Sequence, residues 1–333
     1  MGSMARIVLL PVLLTMSVAA AEIEALGIGL ETFPYPYPVQ FLPLRIEGQE
    51  VRMAYMDVPA KGTARKDAPA VVLMHGKNFG GYYWKNVVES LTTAGYRVIV
   101  PDQIGWGKST KPDIHYSFQL LAANTNRLLD RLHVQNVAVI GHSTGGMLAV
   151  RYALLHPERV THLILENPLG MEDYRVLPPH TPDELYQDEL QNTDPAKIES
   201  VFVRYFAHPQ PEVYKPLAQV PIRVTMSAEF PRWARASALA YEMIYEQPVR
   251  YEYRLLKMPV MLIVGDKDHT VPLSADAPPE IKAKMGNFVQ LARDASHDIP
   301  RASVVVVEDC GHIPHIEKAQ VFRESVMRFL QTN

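Results

Sequence analysis

The chain has 333 residues, 47% hydrophobic and 21% charged, with a formal net charge of −3. This is an ordinary globular composition, large enough for one α/β domain with an insertion or for two domains. The near-neutral balance gives no basic footprint for nucleic acid. The single cysteine, Cys310, excludes an intrachain disulfide and a cysteine-based metal site. Neither an H-E-x-x-H pair nor a glycine-rich phosphate loop is present.

Met1-Gly2-Ser3 reads as a tag remnant ahead of Met4. Arg6, a mostly apolar run over 7–16 and Ala19-Ala20-Ala21 before Glu22 predict an export signal cut after Ala21. The run is short for a bilayer and contains Pro11, so no stable membrane insertion is expected once it is removed. Arg6 also disfavours myristoylation. The mature chain is expected in the periplasm or outside the cell, with a fold that relies on its core rather than on disulfides.

Alternating prolines over 33–38 forbid a helix or a central strand and predict an extended arm. Residues 39–46 and 51–58, on either side of Glu47-Gly48-Gln49-Glu50, read as an edge hairpin. From Ala70 onward, the apolar run at 70–74 fits a parallel strand buried on both faces, and further strands are read at 96–100, 137–140, 162–165, 260–264 and 304–307. Helical patterns over 83–93, 117–132, 147–155, 279–295 and 318–330 alternate with them. That rhythm predicts βαβ units and an α/β fold with a mostly parallel sheet. It breaks over 171–257, where prolines from Pro178 to Pro231 punctuate short helical pieces, the best at 183–191, 196–206 and 231–245. Rich in Tyr, Phe and Leu, this stretch reads as a helical insertion rather than a linker.

The chemistry gathers at 137–146. An apolar, β-branched run ends in Gly141-His142-Ser143-Thr144-Gly145, and a helical pattern follows at once. Strand, sharp turn and helix with a serine at the apex is the form of a G-x-S-x-G nucleophile elbow; a helix capped by Ser143 or Thr144 is the plain alternative. A serine nucleophile needs a histidine base oriented by a carboxylate, and open α/β sheets place such groups in loops after their strands. The loop after 260–264 offers Asp266, placed to cap the turn, and Asp268, which reaches further. The loop after 304–307 offers Gly311-His312-Ile313-Pro314-His315. The order Ser143, Asp268, His312 is nucleophile, acid, base. His315 and His269 are rivals for the base, His142 is expected to pack beneath the turn, and the other histidines sit at element edges. The backbone N–H groups of Thr144 and of Lys77, after strand 70–74, are the expected oxyanion donors. His75 is expected to brace that loop. The Lys77 side chain is read as solvated and without a role of its own.

At this point the sequence resembles the α/β-hydrolase superfamily over nearly the whole mature chain. The resemblance rests on His75-Gly76 with Trp84, Asp102-x-x-Gly105-x-Gly107-x-Ser109, Gly141-His142-Ser143-Thr144-Gly145-Gly146, Gly265-x-x-Asp268-x-x-Val271-Pro272 and Gly311-His312-x-Pro314-x-x-Glu317. It implies an eight-stranded, mostly parallel sheet flanked by helices, with a helical cap at 171–257 inserted after strand 6 of a catalytic domain at 22–170 and 258–333. The chain is similar to capped bacterial hydrolases with a Ser-Asp-His triad, many of them esterases. Ser143 stands where related epoxide hydrolases and haloalkane dehalogenases have Asp, and Lys77 where the dehalogenases bind halide. The resulting expectation is a cofactor-free serine hydrolase of small to medium carboxylic esters. Cap aromatics Tyr186, Phe202, Tyr205, Phe206, Trp233, Tyr241 and Tyr245 either line the pocket and favour an apolar or aromatic acyl group, or form the cap's own small core. Cleavage of a lactone or a C–C bond, or ligand binding without turnover, are the alternatives.

Overall fold

The computed structural model describes residues 23–62 and 68–332. The expected export segment, 1–21, and most of the polar loop at 61–67 lie outside the described residues. Eight strands form one sheet: β1 (Val39–Ile46), β2 (Gln49–Val58), β3 (Ala70–Met74), β4 (Arg97–Pro101), β5 (Val137–His142), β6 (Val160–Glu166), β7 (Val260–Gly265) and β8 (Ala302–Val307). Their order is β1-β2-β4-β3-β5-β6-β7-β8. β2 runs antiparallel to β1 and β4, and every other pairing is parallel. The chain closes the β1–β2 hairpin through Glu47 and Gly48, at φ 47° and 79°. Two central turn residues with positive φ match the right-handed twist of paired strands.

Every residue of β3, β5 and β7 is buried, because helices cover both faces of the sheet. The covering helices are α1 (Lys85–Thr93), α2 (Phe118–Arg131) and α3 (Thr144–Leu155). The Ser117 side chain caps α2 by accepting from the Leu120 amide at 3.1 Å. β3 has β4 on one side and β5 on the other, so successive crossovers leave in opposite directions. A crevice opens above the carboxyl ends of β3 and β5, where open α/β sheets bind their ligands.

Between β6 and β7 lie α4 (Pro182–Gln191), α5 (Pro195–Val203), α6 (Pro211–Thr225) and α7 (Phe230–Glu246). The prolines do not break this insertion into short pieces, as their spacing suggests. Pro182, Pro195 and Pro211 each open a helix, where the missing N–H has no partner to lose. Pro216 and Pro221 lie inside α6, a helix of 15 residues absent from the sequence reading. After β7, the single helix expected over 279–295 is two: α8 (Pro279–Lys282) and α9 (Phe288–Asp298). Gly286, at φ 74°, ends the first stretch, and the Asn287 side chain starts the second by accepting from the Gln290 amide. The short α10 (Pro314–Glu317) and α11 (Ala319–Phe329) complete the chain. Among the described residues no helix is long and apolar enough to cross a membrane.

The arm before β1 is tied down at Tyr35, whose hydroxyl donates to Asp102 Oδ2 at 2.6 Å. Asp102 also accepts from the Gly81 and Lys108 amides, which fixes the loop after β4.

Candidate active site

β5 ends at His142, and Ser143 follows it with φ 56° and ψ −122°. A non-glycine residue held there stores about 1–3 kcal/mol of backbone strain. The turn is possible because its neighbours lack side chains. A Cβ on Gly141 would lie 2.3 Å from the Gly145 carbonyl oxygen, and one on Gly145 2.1 Å from the Met74 carbonyl oxygen. The Ser143 amide donates to the Glu166 carbonyl at 3.0 Å, and its own carbonyl accepts from Gly146 and Leu169. The hydroxyl is thus fixed over the crevice from both sides.

The structure brings Ser143, His312 and Asp268 together from three separate loops. His312 Nε2 lies 2.9 Å from Ser143 Oγ, and His312 Nδ1 lies 2.6 Å from Asp268 Oδ2. All three are buried. Burial pushes the Asp268 carboxyl up, but the charge and hydrogen bond of His312 and the hydrogen bonds from Thr270 outweigh it, holding the group below the ordinary range. Asp268 therefore stays ionised as an acceptor. The rivals fall elsewhere. His315 pairs with Glu166 at 2.9 Å and stacks on Trp84 at 4.2 Å. His269 borders the cavity without touching the serine. Asp266 accepts from the Cys310 amide and holds the turn.

Asn167, which the sequence reading passed over, belongs to this group. It follows β6, is buried, and its Nδ2 donates to Asp268 Oδ2 at 2.6 Å while its Oδ1 accepts from the Gly265 amide. The signal that finds it is its place: the first residue beyond a strand, on the same sheet edge as the other loops. His142 also binds the site together. Its Nε2 donates to the His312 carbonyl at 2.8 Å, and its Nδ1 accepts from Tyr83. Tyr83 in turn accepts from the Gly76 amide. Burial, then the neighbouring His312 and His315, push His142 well below its ordinary value, so it stays neutral.

The loop after β3 closes directly over Ser143: a Cβ on Gly76 would lie 3.1 Å from Ser143 Cβ. His75 braces it, donating from Nδ1 to the Gly76 carbonyl and accepting at Nε2 from the Gln103 amide. Trp106 Nε1 donates to the Lys77 carbonyl at 2.6 Å and orients that peptide. Thr144 opens α3, where first-turn N–H groups have no intrahelical partner and the helix end is positive.

The Lys77 side chain is not solvated, contrary to expectation. Its Nζ lies 2.7 Å from Ser237 Oγ, 3.4 Å from Glu189 Oε1 and 3.5 Å from the Tyr241 ring centre. Burial lowers its pKa, and Glu189 opposes the shift. Lys77, Thr144, Tyr205 and Tyr241 all border the cavity of about 910 Å³ into which Ser143 faces. Among the described residues, no group of three or more His, Cys, Asp or Glu is placed to hold a metal ion.

A family model described as alpha/beta hydrolase fold matches residues 69–319. The chain belongs to the α/β-hydrolase family. A crystal structure of a "probable hydrolytic enzyme" from Pseudomonas aeruginosa superposes on this hydrolase with a TM-score of 0.89 and 42% identity, covering 93% of this chain and 99% of the other. A 2-hydroxy-6-oxononadienedioate/2-hydroxy-6-oxononatrienedioate hydrolase of Burkholderia vietnamiensis is 30% identical over 317 residues, 86% of this chain and 93% of that protein. A protein of the same name from Paraburkholderia xenovorans is 38% identical over 130 residues, and the match spans only 43% of its length and 38% of this chain.

Proposed function

We propose that this hydrolase cleaves small to medium carboxylic esters through an acyl-enzyme. The observation that supports this is the relay from Ser143 Oγ to His312 Nε2 and from His312 Nδ1 to Asp268, at 2.9 and 2.6 Å. A hydroxyl attacks an ester only as its proton leaves. His312 Nε2 takes that proton as Ser143 Oγ bonds to the carbonyl carbon, and Asp268 steadies the imidazolium that forms. The carbonyl oxygen becomes an oxyanion, held by the Lys77 and Thr144 amides. As the C–O bond of the ester breaks, His312 returns the proton to the departing alcohol oxygen. Water then repeats the cycle on the acyl-enzyme and releases the acid. No cofactor enters this scheme. Residues 1–21 are proposed to direct export, with a mature chain starting at Glu22, which N-terminal sequencing of the exported protein checks.

The test is a fluorophosphonate probe and a panel of p-nitrophenyl esters. Wild type is expected to label at Ser143 and to turn over, and Ser143→Ala to do neither while keeping its fold. Turnover by Ser143→Ala at the wild-type rate sinks the assignment.

The relatives named as 2-hydroxy-6-oxononadienedioate/2-hydroxy-6-oxononatrienedioate hydrolases favour a second reading, C–C bond cleavage with the same three residues. Comparing esters, lactones and a ring-fission dienoate separates the readings. A higher kcat/KM on the dienoate than on any ester would move the assignment to C–C cleavage.

A further inference from the structure

Behind the wall formed by Lys77, Glu189 and Tyr241 lies a second, inner chamber of about 100 Å³. These three residues border both it and the Ser143 cavity. Beyond the wall the chamber is lined by Trp106, Ile198, Phe202, Phe230 and Trp233. Trp106 comes from the loop after β4, and the other four come from the cap helices α5 and α7.

Three observations fix what such a chamber would hold. The first is chemistry. The wall built by these five residues is aromatic and aliphatic; of the polar residues that also line the chamber, Asn78 already donates to Tyr205, Thr225 to the Ile222 carbonyl, and Ser237 accepts from Lys77, so an apolar group against the five leaves those bonds in place. Among the described residues that line it the one cation is Lys77, which already meets Ser237, Glu189 and Tyr241. An anionic group would have to displace the Glu189 carboxylate and leave it buried and unpaired. The second is size. An apolar cavity of about 150 Å³ takes up a benzene molecule, so this chamber suits a group of up to about five carbons. The third is direction. The leaving alcohol must lie where His312 can protonate it, on the side of the Asp268 and His312 loops. Residues 267 and 269–276 line the outer cavity, whereas no residue of either loop lines the inner chamber. The chamber borders Lys77, away from those loops; with the carbonyl oxygen at the amide donors and the alcohol towards His312, the acyl chain is the substituent left to enter it.

We propose that the inner chamber is the acyl subsite, and that it selects short, uncharged, apolar acyl groups while the alcohol portion sits in the larger outer cavity. This rests on the acyl-enzyme reading and adds the identity of the acyl group to it. In an apolar pocket one methylene more or less changes kcat/KM by about 10- to 200-fold, so the selection is measurable.

The experiment is a kcat/KM series over p-nitrophenyl esters from acetate to dodecanoate, for wild type, Trp233→Ala and Ile198→Phe, with methyl, p-nitrophenyl and naphthyl butyrates as the alcohol series. Wild type is expected to peak between butyrate and hexanoate and to fall about tenfold or more by decanoate. Trp233→Ala opens the chamber and should move the peak to octanoate or longer. Ile198→Phe fills it and should move the peak to acetate or propionate. The alcohol series should keep its ranking in all three proteins. Fluorophosphonate labelling and circular dichroism confirm that each variant is folded and has a reactive Ser143; Phe230→Leu, which also opens the chamber, replaces Trp233→Ala if that variant fails to fold, and Thr225→Leu, which also fills it, replaces Ile198→Phe. Folded, labelled variants whose acyl peak stays put overturn the subsite, as does an alcohol ranking that moves in place of the acyl peak, while leaving the serine hydrolase standing. A wild type that neither labels nor turns over any ester overturns the acyl-enzyme reading itself, and the subsite with it.

Discussion

Asp268→Asn is the most revealing single change, because three donors converge on this carboxylate. Oδ2 accepts from His312 Nδ1 and from Asn167 Nδ2, each at 2.6 Å, and Oδ1 accepts from the Thr270 amide at 2.9 Å. A carboxamide has one oxygen, so one side must lose. With that oxygen towards His312 and Asn167, two donors stay satisfied and only the Thr270 amide faces an NH₂ group. With the amide flipped, NH₂ faces NH₂ at Asn167, and His312 must accept at Nδ1. Its proton then sits on Nε2, where it blocks removal of the Ser143 proton. Asn167 resists turning to compensate, because its Oδ1 accepts from the Gly265 amide at 3.2 Å.

The first orientation satisfies more donors, so Asp268→Asn is expected to keep the working tautomer and lose the charge alone. With the charge centres about 4 Å apart and an effective dielectric of about 20, the carboxylate is worth about 4 kcal/mol to the imidazolium. That is about a thousandfold in kcat/KM. In Asp268→Asn/Asn167→Leu the group that selects the orientation is gone, and the loss should grow to about the 10⁴-fold of a wrong tautomer. The assay is p-nitrophenyl butyrate hydrolysis, with thermal melts to confirm folding. Activity of Asp268→Asn within tenfold of wild type would refute the role of this carboxylate. Equal losses in the single and double variants would refute the orientation argument.

Other outcomes follow from the same geometry. Ser143→Ala should lose activity by at least about 10⁴-fold with its melting temperature lowered by no more than about 1 °C, since the strain lies in the backbone and not in the hydroxyl. Gly145→Ala places a methyl 2.1 Å from the Met74 carbonyl oxygen, and a melt should show about 2 kcal/mol or more of destabilisation together with loss of turnover. Tyr205→Phe removes the 2.8 Å bond from Asn78 Nδ2 but keeps the main-chain bond from the His312 amide to the Tyr205 carbonyl; kcat should fall about fivefold, the worth of one neutral hydrogen bond, with an unchanged circular dichroism spectrum. Burial pushes the Glu172 carboxyl up to about 7, against the opposing hydrogen bond from Gly286. The folded state therefore holds this proton after the unfolded chain has released it, and stability drains away as pH rises from the ordinary carboxylate range through about 7. Glu172→Gln should be neutral at pH 4 and stabilising at pH 8, by about 1 kcal/mol once the group's partial exposure is allowed for; a melt at each pH that shows no difference between them would contradict this.

What the sequence disclosed follows from how locally each feature is encoded. Strands β3, β5 and β7 are buried on both faces, so their runs are apolar throughout and need no partner to be recognised. Ser143 and Asp268 each sit just beyond such a strand and His312 just beyond the half-buried β8, all three within a short glycine-bearing motif. Helix α6 was hidden because Pro216 and Pro221 argue locally against it, while packing of Leu217, Ala218 and Ile222 into the core argues for it. The Lys77 side chain was misread for a related reason. Its partners Glu189 and Ser237 are 112 and 160 residues away in the chain, and no pattern near Lys77 announces them.

The elbow's geometry depends on residues outside its own motif. The Gly76 amide donates to Tyr83, Tyr83 to His142, and His142 to the His312 carbonyl. One neutral imidazole thus spans the loop after β3, the elbow and the base loop. Protonating His142 would turn its Nδ1 from an acceptor into a donor facing the Tyr83 hydroxyl, whose oxygen already accepts from Gly76. Tyr83 would then have to redirect its proton within a buried site. Burial, reinforced by His312 and His315, keeps His142 uncharged, and so the position of the base depends on a histidine that takes no part in proton transfer. The cap adds a second constraint, because the Tyr205 carbonyl accepts from the His312 amide at 2.7 Å and its hydroxyl from Asn78. The same insertion that encloses the proposed acyl chamber therefore also holds His312 and the loop after β3 in register, and changes made in the cap are expected to carry a cost in rate wherever they disturb Tyr205.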